Sequence, residues 1–162
     1  MDFMVRLSLG DQSVLVPNPR ELKNVVDAFK NNRLTGMVGL NTLFVALARY
    51  QDFQALDFSS LEKTISGGMA LTEDTANTWE KLTGNNIVEG YGLTETSPIV
   101  TSNDPKNPQK NTIGVALPRT ELKVINLDGE TLPSGEAGEL CVRGPQVMLG
   151  YWQRPEATAE VL

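Results

Sequence analysis

The sequence contains no histidine and a single cysteine among its 162 residues. Without histidine, the chain has no Ser–His or Cys–His nucleophile, no imidazole general base and no Cys/His zinc site. One cysteine cannot form an intramolecular disulfide. Because Cys141 lies in a run that alternates apolar and polar residues, we expect it to act as a small buried apolar residue.

Long apolar runs and basic clusters are also missing. No stretch approaches the roughly 20 apolar residues of a membrane span, and Asp2 and Arg6 stand where a signal peptide would be apolar. The formal net charge is -6, with lysine and arginine scattered, which argues against a nucleic-acid partner. We expect a soluble cytoplasmic protein, and the composition leaves a peripheral association with a membrane surface open.

Hydrophobic periodicity predicts alternating helices and strands in the first part of the chain. Predicted helices occupy residues 1–9 with Gly10 as C-cap, residues 21–31, a segment capped by Asn41 or Thr42, and a segment from its cap at Thr72 to Thr83, followed by Gly84. Predicted strands occupy residues 13–16, 36–40, 63–66 and 87–89. Together they indicate an α/β fold with β-α units on a largely parallel sheet.

The pattern changes near residue 102. Two alternating runs, at 120–126 and 139–143, predict a smaller antiparallel β subdomain. We expect the apolar run 147–152 to pack on the body of the protein, and a helix to begin near Glu156. The predicted units are an α/β parallel-sheet subdomain, a polar loop and an antiparallel β subdomain with a C-terminal segment, at residues 1–101, 102–112 and 113–162. Both outer units have the pattern of elements cut from a longer chain.

Glycines follow two of the predicted strands. The loops are Ser66-Gly67-Gly68-Met69 and Glu89-Gly90-Tyr91-Gly92. Ligands of parallel sheets lie beyond the carboxyl ends of the strands, so both loops face one crevice if the strands are neighbours. The hydroxyl of Thr94 and the carboxylate of Glu95 then suit an oxyanion and a cation such as magnesium. An ordinary Gly-rich turn fits the spacing equally well, and no GxxxxGK[ST] loop occurs.

Three motifs in one order resemble core motifs of the adenylate-forming enzymes, which include acyl-CoA synthetases. They are Ser66-Gly67-Gly68-Met69, the run from Gly90 to Glu95, and the run from Gly138 to Trp152. The resemblance extends over nearly the whole chain and is strongest to the bacterial long-chain-fatty-acid CoA ligases. It implies activation of a fatty acid with ATP and magnesium, giving an acyl-adenylate and pyrophosphate, and then transfer of the acyl group to coenzyme A.

The same resemblance implies roles for individual residues. Tyr91 would stack on adenine, Thr94 would hydrogen-bond the α-phosphate, and Glu95 would hold magnesium. The nucleotide and acyl positions would be bordered by Gly67, Gly68, Met69, Glu89 and Gly90. The resemblance also assigns three residues to the acyl pocket, although a core role is an equally good interpretation for them. They are Gly39, Asn41 and Phe44.

Several parts of the family pattern have no counterpart in these 162 residues. They are the lysine-bearing phosphate loop, the Thr-Gly-Asp motif that holds ribose, and the C-terminal domain with its lysine. We therefore expect an internal fragment of the large N-terminal domain of a ligase, inactive by itself. The alternatives are a fragment of an aryl or medium-chain CoA ligase, a folded module with only weak nucleotide or acyl affinity, and a self-associating module with unpaired sheet edges.

Overall fold

The computed structural model describes residues 6–162, so residues 1–5 of the predicted first helix lie outside the described residues. Residues 6–8 are helical, and this turn ends at Gly10, whose φ is +79°. The predicted C-cap is confirmed, since the Gly10 N–H donates to the Leu7 carbonyl at 3.1 Å. The predicted strand at residues 13–16 is wrong, because this segment lies along a cleft beside the sheet without pairing to it.

The parallel part of the fold alternates strands and helices. Its elements are α1 Leu22–Asn31, β1 Gly36–Gly39, α2 Asn41–Ala48, α3 Gln51–Gln54, β2 Lys63–Ser66, α4 Glu73–Thr83 and β3 Ile87–Tyr91. β1 pairs in parallel with β2, and β2 pairs in parallel with β3. The α/β prediction is confirmed, with three parallel strands in place of the four that the sequence predicted.

The chain then turns back on the same sheet. A 3₁₀ turn, Thr94–Thr96, leads to β4 Thr101–Ser102, which pairs antiparallel with β3, and β5 Val115–Ala116 pairs antiparallel with β4. β5 therefore belongs to the five-stranded sheet, although the sequence placed residues 113–162 in the second subdomain. The polar loop of residues 102–112 connects two neighbouring strands of one sheet.

A second, smaller sheet follows, as predicted. β6 Glu121–Ile125 and β7 Glu139–Arg143 form an antiparallel pair, and the short helix α5 Pro155–Ala159 comes after it. Cys141 is half-buried on β7, opposite Lys123 of β6. Across residues 6–162, no helix is both long and apolar enough to span a bilayer.

The two predicted N-caps, at the starts of α4 and α2, have different outcomes. Thr72 caps α4, accepting a hydrogen bond from the Thr75 N–H at 3.3 Å, and Gly84 ends this helix with φ +70°. The predicted cap of α2 is wrong, because the helix begins at Asn41 and Leu40 occupies the cap position without a side-chain hydrogen bond. The amide oxygen of Asn41 accepts instead from the Thr72 N–H at 3.1 Å, so this side chain joins two helix starts.

An aromatic core lies between the helices and one face of the sheet. The side chains of Phe44, Phe53 and Trp79 are fully buried, and the Phe44 and Trp79 rings are 4.8 Å apart in an edge contact. The Trp79 indole N–H donates to the Thr64 hydroxyl on β2 at 3.2 Å. This core fixes α2 and α4 against β2.

Residues 147–152 depart from the expected packing. Leu149 and Trp152 are 102% and 88% exposed, so these two side chains do not cover the body of the protein, whereas Val147 and Met148 are half-buried. The run is attached through its backbone, since the Met148 N–H donates to the Glu95 carbonyl at 2.7 Å. A sequence pattern that counts apolar residues does not detect this kind of attachment.

Two hydroxyls on the same face of β2 give a matched test of the core. Thr64→Val removes the acceptor of a buried indole N–H and should lower the free energy of unfolding by about 1–3 kcal/mol. The Oγ of Ser66 is buried and has no partner among the described residues, so Ser66→Ala should be neutral or slightly stabilising. Urea unfolding followed by tryptophan fluorescence measures both free energies, since the buried Trp79 changes its environment on unfolding while Trp152 is already 88% exposed. Equal losses in the two variants would contradict the role given to Thr64.

Candidate functional site

The carboxyl ends of the three parallel strands lie side by side. Gly39 at the end of β1 pairs in register with Ser66 of β2, and Ser66 pairs with Glu89 of β3. The two Gly-containing loops therefore leave the sheet at the same edge, as the sequence predicted for neighbouring strands. This edge is where parallel sheets bind ligands.

The backbone at this edge is closely spaced. A Cβ added at Gly67 would lie 3.9 Å from the Gly90 carbonyl oxygen, which places the two loops next to each other. Gly68 has φ +82°, a conformation that favours glycine, and its Cβ would lie 3.2 Å from the Leu40 side chain. Met69 follows with half of its side chain exposed. Both loops thus present main chain and small residues at one place.

Two side chains from neighbouring elements hold the loop after β2. The Glu89 carboxylate accepts a hydrogen bond from the Leu71 N–H at 3.0 Å. Asn41 accepts from the next N–H, that of Thr72, at 3.1 Å. Both residues were assigned to ligand contacts from the sequence, and in the structure their side chains organise the loop that borders the crevice.

The remaining residues assigned to the acyl pocket lie toward the core. The Phe44 ring lies 2.9 Å from the position a Cβ would take at Gly39, and Phe44 has no exposed surface. These contacts favour the core interpretation of Phe44. A contact of Gly39 or Phe44 with an acyl chain stays a prediction from the resemblance.

Past Tyr91 the chain makes a tight turn that carries the two candidate phosphate and metal residues. Gly92 is required there, because a Cβ at this position would collide with the carbonyl of Pro98. Thr96 is buried, and its hydroxyl accepts a hydrogen bond from the Leu93 N–H at 2.9 Å. Thr94 is exposed and Glu95 is half-buried. The turn therefore holds Thr96 inward and leaves the Thr94 side chain open to solvent.

Glu95 has a side-chain partner that is far away in sequence. The Tyr151 hydroxyl donates to Oε1 of Glu95 at 2.7 Å. This hydrogen bond favours the charged carboxylate and lowers the pKa of Glu95, and the same contact raises the pKa of Tyr151. Glu95 is therefore ionised at neutral pH, in the state that binds cations.

The donor set at this turn fits a cation that arrives with a phosphate. Within residues 6–162, no three His, Cys, Asp or Glu side chains are grouped as a self-contained metal centre. Magnesium commonly binds one or two carboxylates, keeps several waters and takes its other ligands from substrate phosphates. One ionised carboxylate, Glu95, beside the exposed Thr94 meets that requirement.

Sequence reasoning missed Tyr151 as a site residue. It belongs to the third motif of the resemblance, but it lies in the run that was expected to pack as an apolar segment. Its contact with Glu95 spans 56 residues of sequence, and the spacing of neither motif indicates it. The one available signal was a tyrosine, a residue with a polar tip, inside an otherwise apolar run.

Comparison with known proteins places the chain in a family. Residues 1–152 match the AMP-binding enzyme family, so this chain belongs to it. It is 49% identical to a long-chain-fatty-acid CoA ligase of Haemophilus influenzae and 46% identical to one of Salmonella typhimurium. Each match covers 100% of this chain and 29% of the relative, so the chain spans less than a third of the length of these relatives.

A solved structure has the same fold. It is an anthranilate CoA ligase in complex with anthranoyl-AMP, with a TM-score of 0.88 and 30% sequence identity. The superposition covers 93% of this chain and 30% of that protein. The five-stranded sheet and the small second sheet are thus part of the architecture of an adenylate-forming enzyme.

Gly92 gives a first test of the site. Gly92→Ala should lower the free energy of unfolding by about 1–3 kcal/mol, because the new methyl group overlaps the Pro98 carbonyl. It should also shift the amide resonances of Thr94 and Glu95. Gly36→Ala is the matched control, since a Cβ there makes an ordinary 3.6 Å contact with the Lys63 carbonyl. Equal stability of the two variants would show that the turn adapts.

The Tyr151 hydrogen bond gives a second test. Tyr151→Phe should raise the pKa of Glu95 toward that of a free glutamate, as monitored by the side-chain carboxyl ¹³C resonance. Because the folded pKa is lowered, the stabilising contact is present above the ordinary carboxyl range and is lost as the pH falls through the folded value. Tyr50→Phe removes a longer tyrosine–aspartate contact elsewhere and should leave Glu95 unchanged. An unchanged Glu95 titration in Tyr151→Phe would refute the contact.

Proposed function

We propose that this chain supplies part of the adenylate-forming site of a long-chain-fatty-acid CoA ligase. The observation that carries the proposal is identity of 49% and 46% over the whole chain to two such ligases, with the first two of the three motifs leaving the sheet at one edge. In the proposed reaction, a fatty-acid carboxylate oxygen attacks the α-phosphorus of ATP and pyrophosphate leaves. The thiol of coenzyme A then attacks the acyl carbonyl, and AMP leaves.

Different residues at this edge contact the adenine, the phosphates and the magnesium ion in the proposed reaction. Tyr91 provides an aromatic face for adenine, and the paired loops at Gly67 and Gly90 let the nucleotide approach the main chain. The exposed Thr94 hydroxyl donates to an α-phosphate oxygen, where negative charge grows during the attack. Glu95 holds magnesium, which when bound neutralises phosphate charge.

The 162-residue chain is proposed to be inactive by itself. It spans 29% of the related ligases, and its 162 residues contain no counterpart of the Ser/Thr/Gly-rich, lysine-bearing phosphate loop that the family resemblance implies. With only part of the phosphate-binding groups in place, the charge of ATP and of the departing pyrophosphate is left uncompensated. Weak nucleotide affinity without turnover is therefore the expected property of the purified chain.

An aryl or medium-chain CoA ligase is the alternative within the same class. The anthranilate CoA ligase shares the fold at 30% identity, so the architecture accommodates acids other than fatty acids. The higher identity to the long-chain ligases favours the long-chain assignment. Activity with palmitate, octanoate and benzoate, measured on a ligase that carries this chain in place of its own matched segment, separates these substrates.

Self-association is a second candidate property, favoured by the edge of the sheet. β1 is an outer strand of the sheet. Val38 on this strand and Leu40 just after it are 48% and 43% exposed. A cleft of about 750 Å³ runs beside this strand. Unpaired edges of this kind pair readily with another chain. Light scattering that gives a strict monomer at all concentrations would exclude this candidate.

The proposed function is tested by replacing the matched segment of the Haemophilus influenzae ligase with this chain. The hybrid should catalyse palmitate-dependent pyrophosphate exchange, whereas the purified 162-residue chain should show none. Glu95→Gln in the hybrid should lower the exchange rate by about 100-fold or more, since it removes a charge that acts in the transition state. Glu62→Gln, on an exposed loop, is the matched control.

Two results would contradict the proposal. A folded hybrid without exchange activity would show that this chain does not provide its part of the site. Exchange by the isolated chain would show that the missing phosphate-binding groups are not required.

A further inference from the structure

Glu95 is held by one distant tyrosine in addition to its own turn. The Tyr151 hydroxyl lies 2.7 Å from Oε1 of Glu95, and both residues are on loops outside the sheets. We propose that Tyr151 is a positioning residue that orients the Glu95 carboxylate toward the cation accompanying ATP. This inference rests on the proposed function and adds to it a residue that does not itself touch the nucleotide or the metal.

The two loops are joined at the backbone as well as through the side chains. The Met148 N–H donates to the Glu95 carbonyl at 2.7 Å. Glu95 is thus fixed at its carbonyl by Met148 and at its carboxylate by Tyr151. The hydrogen bond from Tyr151 restricts the rotamers of the Glu95 side chain, and the bond from Met148 holds the backbone to which that side chain is attached.

The backbone of Tyr151 is itself anchored by the helix that follows, α5. Its N–H donates to the Thr158 hydroxyl at 2.9 Å, and its carbonyl accepts from the Arg154 N–H at 3.1 Å. Gly150, with φ +145°, allows this approach, since a Cβ there would lie 2.9 Å from the Thr158 methyl carbon. The backbone that carries the phenol is therefore held by hydrogen bonds on both its N–H and its carbonyl.

The chemistry of a carboxylate allows this contact and a cation together. An ionised carboxylate has two oxygens and about four acceptor positions, and Tyr151 uses one of them on Oε1. A carboxylate already held in one orientation binds a cation at a lower entropic cost. Partners that hydrogen-bond to a ligating carboxylate typically change metal affinity by about 10–100-fold when they are removed.

A competing arrangement has the opposite consequence. If the phenol blocked the carboxylate, then removing the hydroxyl would free Glu95 and tighten cation binding. Preorientation and blocking therefore predict opposite signs for the same substitution, Tyr151→Phe. The direction of the change decides between them.

The test uses the purified chain labelled with ¹⁵N and titrated with the Mn²⁺ complex of ATP, with the Mg²⁺ complex as diamagnetic reference. Both ions prefer oxygen ligands, and Mn²⁺ broadens nearby amide signals. In the wild type, we expect broadening centred on Thr94 and Glu95. Tyr151→Phe should weaken the apparent affinity for Mn²⁺–ATP about 10-fold, and Glu95→Gln should abolish the local broadening.

Matched variants separate positioning from loss of structure. Tyr50→Phe removes a tyrosine hydroxyl that donates to Asp52 at 3.5 Å and should behave as the wild type. An unchanged Trp79 indole signal reports an intact core. Thr158→Val keeps the phenol but removes the acceptor of the Tyr151 N–H, and it should weaken Mn²⁺–ATP affinity in the same direction, even if Tyr151→Phe fails to fold.

The outcomes distinguish the positioning role of Tyr151 from the metal assignment of Glu95. Unchanged or tighter Mn²⁺–ATP binding by folded Tyr151→Phe overturns the positioning role, while wild-type broadening at Glu95 still supports the metal assignment. If Tyr151→Phe does not fold, unchanged or tighter binding by Thr158→Val overturns it. Absence of broadening near Glu95 in the wild type overturns the metal assignment of Glu95, and the positioning role with it.

Discussion

The parallel register of the three strands β1, β2 and β3 is the constraint on which the candidate site depends. It aligns Gly39, Ser66 and Glu89, so that the loops leaving these strands meet at one edge. The register is held from below by the aromatic core, in which Trp79 packs on Phe44 and bonds to Thr64 of the central strand. A shift of one residue in β2 would turn Thr64 away from Trp79 and separate the two Gly-containing loops.

The edge is organised largely by contacts of the protein with itself. The side chains of Glu89 and Asn41 accept hydrogen bonds from successive N–H groups of the loop after β2. The Thr96 hydroxyl accepts one from the first N–H of the turn after β3. These side chains keep the loops in place without occupying the space beyond the strands. Glycine at positions 68 and 90 lets the chain pack closely there, since an added Cβ would lie 3.2 Å from the Leu40 side chain and 3.1 Å from the Thr101 carbonyl oxygen, respectively. The result is a shaped main-chain surface next to one ionised carboxylate, an arrangement suited to a phosphate-bearing ligand.

Local signals in the sequence were sufficient for most elements. Thr72 and Gly84 mark the ends of α4 because capping chemistry is contained within a few residues. The strand prediction at residues 13–16 failed because a β-rich run becomes a strand only when it pairs with a neighbour, and this run does not pair with the outer strand β1 beside it. Asn41 has the composition of a helix cap, but a tertiary hydrogen bond to Thr72 takes its side chain. Tertiary partners decided both cases.

The difference between local signals and tertiary partners applies to the candidate site as well. The order and identity of the motifs predict Gly67, Gly68, Tyr91, Thr94 and Glu95 as site residues, and the sheet topology brings the loops after β2 and β3 to one edge. The link from Glu95 to Tyr151 could not be predicted, since it joins two loops that only the folded chain brings together. Exposure of Leu149 and Trp152 was unforeseen for a related reason, because a backbone hydrogen bond through Met148 attaches that run.

In the proposed function, the carboxyl edge of β1, β2 and β3 binds the nucleotide. Adding the Mg²⁺ complex of ATP to the ¹⁵N-labelled chain and mapping the amide shift changes tests this binding. We expect the largest changes on residues 67–72 and 90–96, with small changes in β6 and β7. Changes concentrated elsewhere, or none at millimolar ATP, would contradict it.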